Sequence, residues 1–213
     1  YCAIAVAGGM CDLDAIRTVR SRGIFMEHAA PEGSGAMSAV LGMDASVIEN
    51  VLNGREGVSI ANYNCPGQIV ITGEAAAVAE AGTALKEAGA RRVLPLKVSG
   101  PFHSPMMRPA GEELAKVFAR VSMNPLKIPY VANINAEVIT DCGRIEGLLV
   151  DQVSGSVRWQ QSVETMIREG VDTFVEIGPG KTLTGFLRKI DKNVKAYHIG
   201  SWEEAVQVCE ELK

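Results

Sequence analysis

The chain has 213 residues, 21 Lys and Arg against 25 Asp and Glu, a formal net charge of −4 and 47% apolar residues. A chain of this length can bury roughly 70% of its unfolded surface, which suits one domain, or one domain with a smaller insert. The negative charge balance argues against a nucleic-acid binder, which needs a cationic face, and no apolar run approaches the roughly 20 residues that span a bilayer, which excludes an integral membrane protein.

In chain order, Tyr1 to Ala7 (YCAIAVA) is almost wholly apolar and ends at Gly8-Gly9. This predicts the last two turns of a buried helix with a glycine stop, in a chain cut inside an element. Asp12 or Asp14 can cap a helix carrying Ile16, Val19 and Ile24 on one face. Pro31 to Gly35 is a loop. Ala36 to Leu41 reads as a strand, Asp44 caps a short helix through Leu52, and Val58 to Asn62 is a second strand. The turn residues Asn64 to Gln68 lead into a third strand, Ile69 to Thr72. Glu74 to Gly89 is an Ala- and Glu-rich helix, and Arg92 to Val98 is a fourth strand, with Pro95 hinting at an edge or bulge.

The order β-α-β-β-α-β over residues 35–98 matches a ferredoxin-like unit. Beyond it the pattern predicts helices near 109–121, 145–153, 161–169, 182–190 and 202–212, with strands near 129–133, 173–177 and 194–198. Strands alternating with helices imply a mostly parallel sheet covered on both faces. The expected class is therefore α/β, with a discontinuous larger subdomain (1–32 and 99–213) and a small ferredoxin-like one (33–98).

The five cysteines, at positions 2, 11, 65, 142 and 209, contain no C-x-x-C pair and none lies within a few residues of a histidine. Reduced thiols in a cytosolic protein are expected, with neither a disulfide framework nor a zinc site.

Three histidines bound the search for a catalytic base. His28 reads as solvated at a helix end, and His198 as a hydrogen-bonded structural residue at a strand end. His103 lies in Ser99-Gly-Pro-Phe-His-Ser-Pro105, directly after a strand. Prolines fix the backbone on both sides of it, and a rigid loop at a strand end is where α/β enzymes place catalytic groups. Spacing alone leaves His103 open between a catalytic and a structural role. Glu176 to Thr182 (EIGPGKT) fails the Walker A pattern, because the glycine required five residues before Gly180 is Val175. A tight strand-to-helix turn is the better reading.

The blocks Asn62-Tyr-Asn-Cys-Pro-Gly-Gln68, Ser99 to Pro105, Val157-Arg-Trp159 and Phe174 to Lys181 occur in this order. Together they make the chain, over essentially its whole length, resemble the malonyl-CoA–acyl carrier protein transacylases of bacterial fatty acid synthesis. The resemblance implies an α/β-hydrolase-like large subdomain, incomplete at its N-terminus, carrying an inserted ferredoxin-like small subdomain. It also implies ping-pong transfer of malonyl from malonyl-CoA to the phosphopantetheine thiol of acyl carrier protein, with no metal or redox cofactor.

By this resemblance, a nucleophile elbow of the type G-H-S-x-G precedes the helix at Tyr1. The catalytic serine and the oxyanion-hole glutamine are then expected outside these 213 residues, and the chain alone is expected not to turn over. Carried over position by position, His103 is the general base and Gln152 holds it through a carbonyl group. Arg22 binds the malonyl carboxylate, for which a guanidinium offers two parallel donors. Phe102 favours malonyl over bulkier acyl groups, and packing alone also accounts for it. Lys181, Arg188, Lys189 and Lys192 are candidates for docking an acidic carrier protein. An acyltransferase domain of a polyketide synthase, and a non-catalytic chain with a binding role, are the alternative readings.

Overall fold

The computed structural model describes residues 1–212. Helix α1 (Cys2–Val6) turns Ile4 inward, with Ala7 buried just after it and Val6 exposed. It stops at Gly8, whose φ of +83° lets Gly9 N–H reach the Ile4 carbonyl and Gly8 N–H that of Ala5, each at 2.9 Å.

Helix α2 (Asp12–His28) follows, and its buried face is not the predicted one. Ala15, Thr18 and Met26 face inward, while Ile16 and Val19 are exposed. The inward residues are small at the start of the helix because α2 packs closely along α5 (Arg108–Phe118). Close helix approach selects small side chains over the larger apolar ones that periodicity favours.

Residues 35–95 form β1 (Gly35–Leu41), α3 (Ala45–Leu52), β2 (Val58–Cys65), β3 (Gln68–Glu74), α4 (Ala75–Glu87) and β4 (Arg92–Pro95). The sheet is antiparallel in the order β2-β3-β1-β4, the ferredoxin-like arrangement that the element order predicted. Alternation along the strands gives it two apolar faces. Val40, Ile60, Tyr63, Ile69 and Ile71 pack under Ile48, Leu52, Val78 and Leu85 of the two helices. Met37, Ala39, Ala61 and Val70 form the opposite face, which meets the ring of Phe102. Strand β2 shifts register between Ile60 and Asn62 and again between Tyr63 and Cys65.

The remainder carries α5, a short antiparallel pair β5 (Tyr130–Val131) and β6 (Val138–Ile139), and α6 (Ile145–Ser154). Then come α7 (Trp159–Arg168), β7 (Thr173–Ile177), α8 (Thr182–Ile190), β8 (Lys195–Ile199) and α9 (Trp202–Glu211). Residues Ala110, Leu114 and Phe118 of α5 fall four apart and make one buried stripe, joined by Ile145 and Val153 of α6 and by Ile4 and Met26. Among the described residues, only β7 and β8 pair as parallel strands of a sheet. The expected larger parallel sheet is not found there, and the strand expected over 129–133 turns back onto β6, a two-residue strand too short to leave a sequence signal. No helix among the described residues is long and apolar enough to cross a membrane.

Candidate active site

The site is built at the junction of the two units, on the loop between β4 and α5. Ser104 is fully buried; its hydroxyl donates to the Pro101 carbonyl at 2.7 Å and accepts from Met106 N–H at 3.3 Å. This closes a tight turn in which His103 takes φ +60°, a left-handed conformation uncommon outside glycine.

Helix α6 supplies the partner. Its final turn leaves carbonyls without intrahelical donors, and His103 Nδ1 lies 3.0 Å from the Gln152 carbonyl oxygen and 3.1 Å from that of Gly155. Both partners are acceptors, so Nδ1 carries the proton and Nε2 of the neutral ring keeps its lone pair. Burial pushes the imidazole below its usual value and the positive charge of Arg22 acts in the same direction, while the two carbonyls oppose both.

The side chain of Gln152 plays a different part from its backbone. Its Nε2 donates to the carbonyls of Gly155 at 2.9 Å and Ser156 at 3.2 Å, bracing the turn after α6. Its Oε1 is buried without a hydrogen-bond partner. Gly155 itself is required by close approach, since a Cβ there would stand 2.2 Å from Ile134 Cδ1 and 3.0 Å from the Asp151 carbonyl oxygen.

His103, Gln152 and Arg22 line one cleft of about 290 Å³, together with Tyr1, Tyr130 and Asn133. Arg22 is half-buried there, and burial pushes the Tyr1 phenol up to about 12. The hydroxyls of Tyr1 and Tyr130 are buried and unpaired. The sequence motifs did not pick out Tyr1, Tyr130 or Asn133 as cleft residues; only Asn133, the last residue of the strand expected over 129–133, carried a positional hint.

Phe102 is not brought to the cleft. Its ring is wedged between the α5–α6 core and the inner sheet face of the ferredoxin-like unit. The other histidines lie elsewhere, as expected. His28 is exposed and bonded to the Ile24 carbonyl at 2.7 Å, and His198 Nε2 lies 3.0 Å from the Gly178 carbonyl oxygen.

The Gly178–Lys181 turn does not present a free helix terminus to a phosphate. The Glu176 carboxylate already accepts from Leu183 N–H (3.1 Å), Thr184 N–H (2.7 Å) and the Thr184 hydroxyl (2.6 Å). A side-chain anion therefore sits where a ligand anion would have to bind. Among the described residues no three His, Cys, Asp or Glu side chains converge to hold a metal ion, and all five cysteines are free thiols.

An α/β fold with a carbonyl-held imidazole and a half-buried guanidinium in one cleft has the arrangement of a group-transfer enzyme. The chain belongs to the acyl transferase domain family, which matches residues 1–208. It is similar to the malonyl CoA-acyl carrier protein transacylases of Bacillus subtilis, at 43% identity over 100% of this chain and 68% of that protein, and of Escherichia coli, at 44% over 89% and 62%. A malonyl-transacylase solved in complex with its type II PKS acyl-carrier protein superposes with a TM-score of 0.92 at 38% identity, covering 98% of this chain and 69% of that one. The chain thus spans roughly two thirds of the length of these relatives.

Proposed function

We propose that the intact protein transfers malonyl from malonyl-CoA to the phosphopantetheine thiol of acyl carrier protein in fatty acid biosynthesis, through a seryl acyl-enzyme. The observation that carries this reading is the cleft shared by His103, with Nδ1–H committed to two carbonyls, and Arg22. The serine, which family resemblance sets just ahead of α1, meets the cleft at its Tyr1 end.

His103 Nε2 takes the serine proton as the hydroxyl oxygen bonds to the malonyl thioester carbon. The C–S bond then breaks and the CoA sulfur leaves with that proton. In the second half the carrier thiol gives its proton to Nε2, its sulfur bonds to the acyl carbon, and the serine C–O bond breaks as the oxygen recovers the proton. Arg22 pairs with the free malonyl carboxylate, which stays out of the reaction. Phe102 acts on acyl choice by fixing the backbone of the neighbouring His103.

The acidic carrier protein docks on the exposed Lys181, Arg188, Lys189 and Lys192 along α8, where charge of one sign steers an oppositely charged partner. Residues 33–98 form the small subdomain, residues 1–32 and 99–213 the large one, and the protein works in the cytoplasm, where its five thiols stay reduced. A carrier of polyketide synthesis is the second reading, favoured by the type II PKS carrier bound in the superposed structure.

The test is to incubate the intact protein with malonyl-CoA and each holo-carrier in turn, following the carrier's mass. A malonyl adduct on the fatty-acid carrier, lost with His103→Ala, is the expected result. An adduct that forms only on the polyketide carrier selects the second reading, and transfer undiminished in His103→Ala removes the mechanism.

A further inference from the structure

The turn that holds His103 has a second side, facing the ferredoxin-like sheet. On that side the Ser156 hydroxyl donates to the Ile60 carbonyl at 2.5 Å, Val157 N–H donates to the Ala61 carbonyl at 2.7 Å, and Tyr63 N–H donates to the Val157 carbonyl at 2.8 Å. Asn62 and Val157 thereby form a parallel bridge between the edge strand β2 and the segment leaving α6.

The register shift in β2 between Ile60 and Asn62 makes this possible. A bulge frees an extra residue from the ladder and re-aims its polar groups, and Ala61, opposite no residue of β3, is the one whose carbonyl receives Val157 N–H. The catalytic loop rests on the same sheet. A Cβ on Gly35, at the start of β1, would stand only 2.3 Å from the Pro101 ring, and Phe102 packs on Met37, Ala39, Ala61 and Val70.

We infer that Ser156 is a positioning residue for His103. By tying the 152–157 turn to the bulge of β2, it fixes the two carbonyls that hold the imidazole. The ferredoxin-like unit is then a support for the base as well as a wall of the molecule. The inference rests on His103 serving as the base.

Ser156→Ala removes the side-chain tie while leaving all backbone groups in place. In the intact protein it is expected to lower kcat for malonyl transfer about 3- to 10-fold, the equivalent of one lost hydrogen bond, with KM for malonyl-CoA within about 2-fold. The Nδ1–H proton of His103, assigned in nuclear magnetic resonance spectra by comparison with His103→Gln, is expected to exchange with solvent about 3- to 10-fold faster. Ser156→Thr, which keeps the hydroxyl, is expected to restore both.

Unchanged kcat and unchanged Nδ1–H exchange in Ser156→Ala would overturn the inference, as would a fall in thermal stability with Nδ1–H exchange unaltered. Proton exchange is read without turnover. If His103→Ala retains transfer, the base assignment fails, and the Nδ1–H measurement still decides separately whether Ser156 sets the ring.

Discussion

The imidazole of His103 is held by the main chain of Gln152, not by its side chain: Nδ1 lies 3.0 Å from the Gln152 carbonyl oxygen, while the Gln152 amide turns away to the carbonyls of Gly155 and Ser156. Any residue at position 152 supplies the same carbonyl. Gln152→Ala is therefore expected to reduce kcat only about 10-fold or less, through loss of the two side-chain braces. Removing the orienting acid of a Ser-His-Asp triad costs about 10⁴-fold, and His103→Ala should cost about 10²–10⁴-fold. Steady-state kinetics of the two variants side by side checks the division of labour; a Gln152→Ala loss as large as that of His103→Ala would show that the side chain is the orienting group.

The tautomer and the burial of His103 together set the pH dependence. The imidazole is pushed below its usual value of about 6.5, first by burial and then by Arg22, against the pull of the Gln152 and Gly155 carbonyls. Its basic form therefore persists to lower pH, and the acidic limb of kcat/KM for malonyl transfer is expected below pH 6.5. The same shift enters stability with a definite sign. Between the folded and unfolded values the unfolded chain binds more protons, so the contribution of neutral His103 is full above about pH 6.5 and is lost as pH falls through the folded value. A limb at or above 6.5 that His103 variants leave in place would assign it to another group.

In the proposed reading Arg22 pairs with the substrate carboxylate, and its charge also lies near His103. Arg22→Gln is expected to lower kcat/KM for malonyl-CoA about 10- to 100-fold, the range for one charge-assisted contact, and to lower it much less for acetyl-CoA, which has no carboxylate. The same variant should move the acidic limb upward, because a charge that depresses the imidazole has gone. Both shifts must appear in one pH-rate series; loss of malonyl transfer without movement of the limb would place Arg22 away from the base.

The elements were legible where local signals are strong. The element order β-α-β-β-α-β, with its Ala-rich α4, predicted the ferredoxin-like unit, and the Pro-bracketed loop singled out His103. Helix α2 misled because Ile16 and Val19 obey a helical period while Ala15 and Thr18 take the contact with α5. Periodicity counts apolar residues and is blind to how closely two helices must approach. Phe102 was assigned through the family resemblance, which gives a role by position and not by side-chain direction; beside the left-handed turn at His103 its ring packs on the inner sheet face. The ties of Ser156 and Val157 to Ile60, Ala61 and Tyr63 link residues about a hundred positions apart through a bulge, and nothing in either segment alone announces them.

The contact of Gly35 with Pro101 gives a last test of how the small sheet supports the site. An added Cβ at position 35 would stand 2.3 to 2.5 Å from three atoms of the Pro101 ring, a rigid group two residues before His103. Gly35→Ala must push that loop or part β1 from it, which should destabilise by about 1–3 kcal/mol, as overpacking does. In a protein of this size that corresponds to a Tm lower by roughly 2–12 °C. Gly147→Ala is the control: it lies in α6, exposed, with nothing within 4 Å of the added carbon, and should stabilise by roughly 0.5–1 kcal/mol through lost chain entropy. Calorimetry separates the two. If Gly35→Ala lowers kcat beyond what its Tm explains, with KM held, the displaced Pro101 carries the base with it; a lowered Tm with kcat intact would mean that the loop keeps its shape without the sheet.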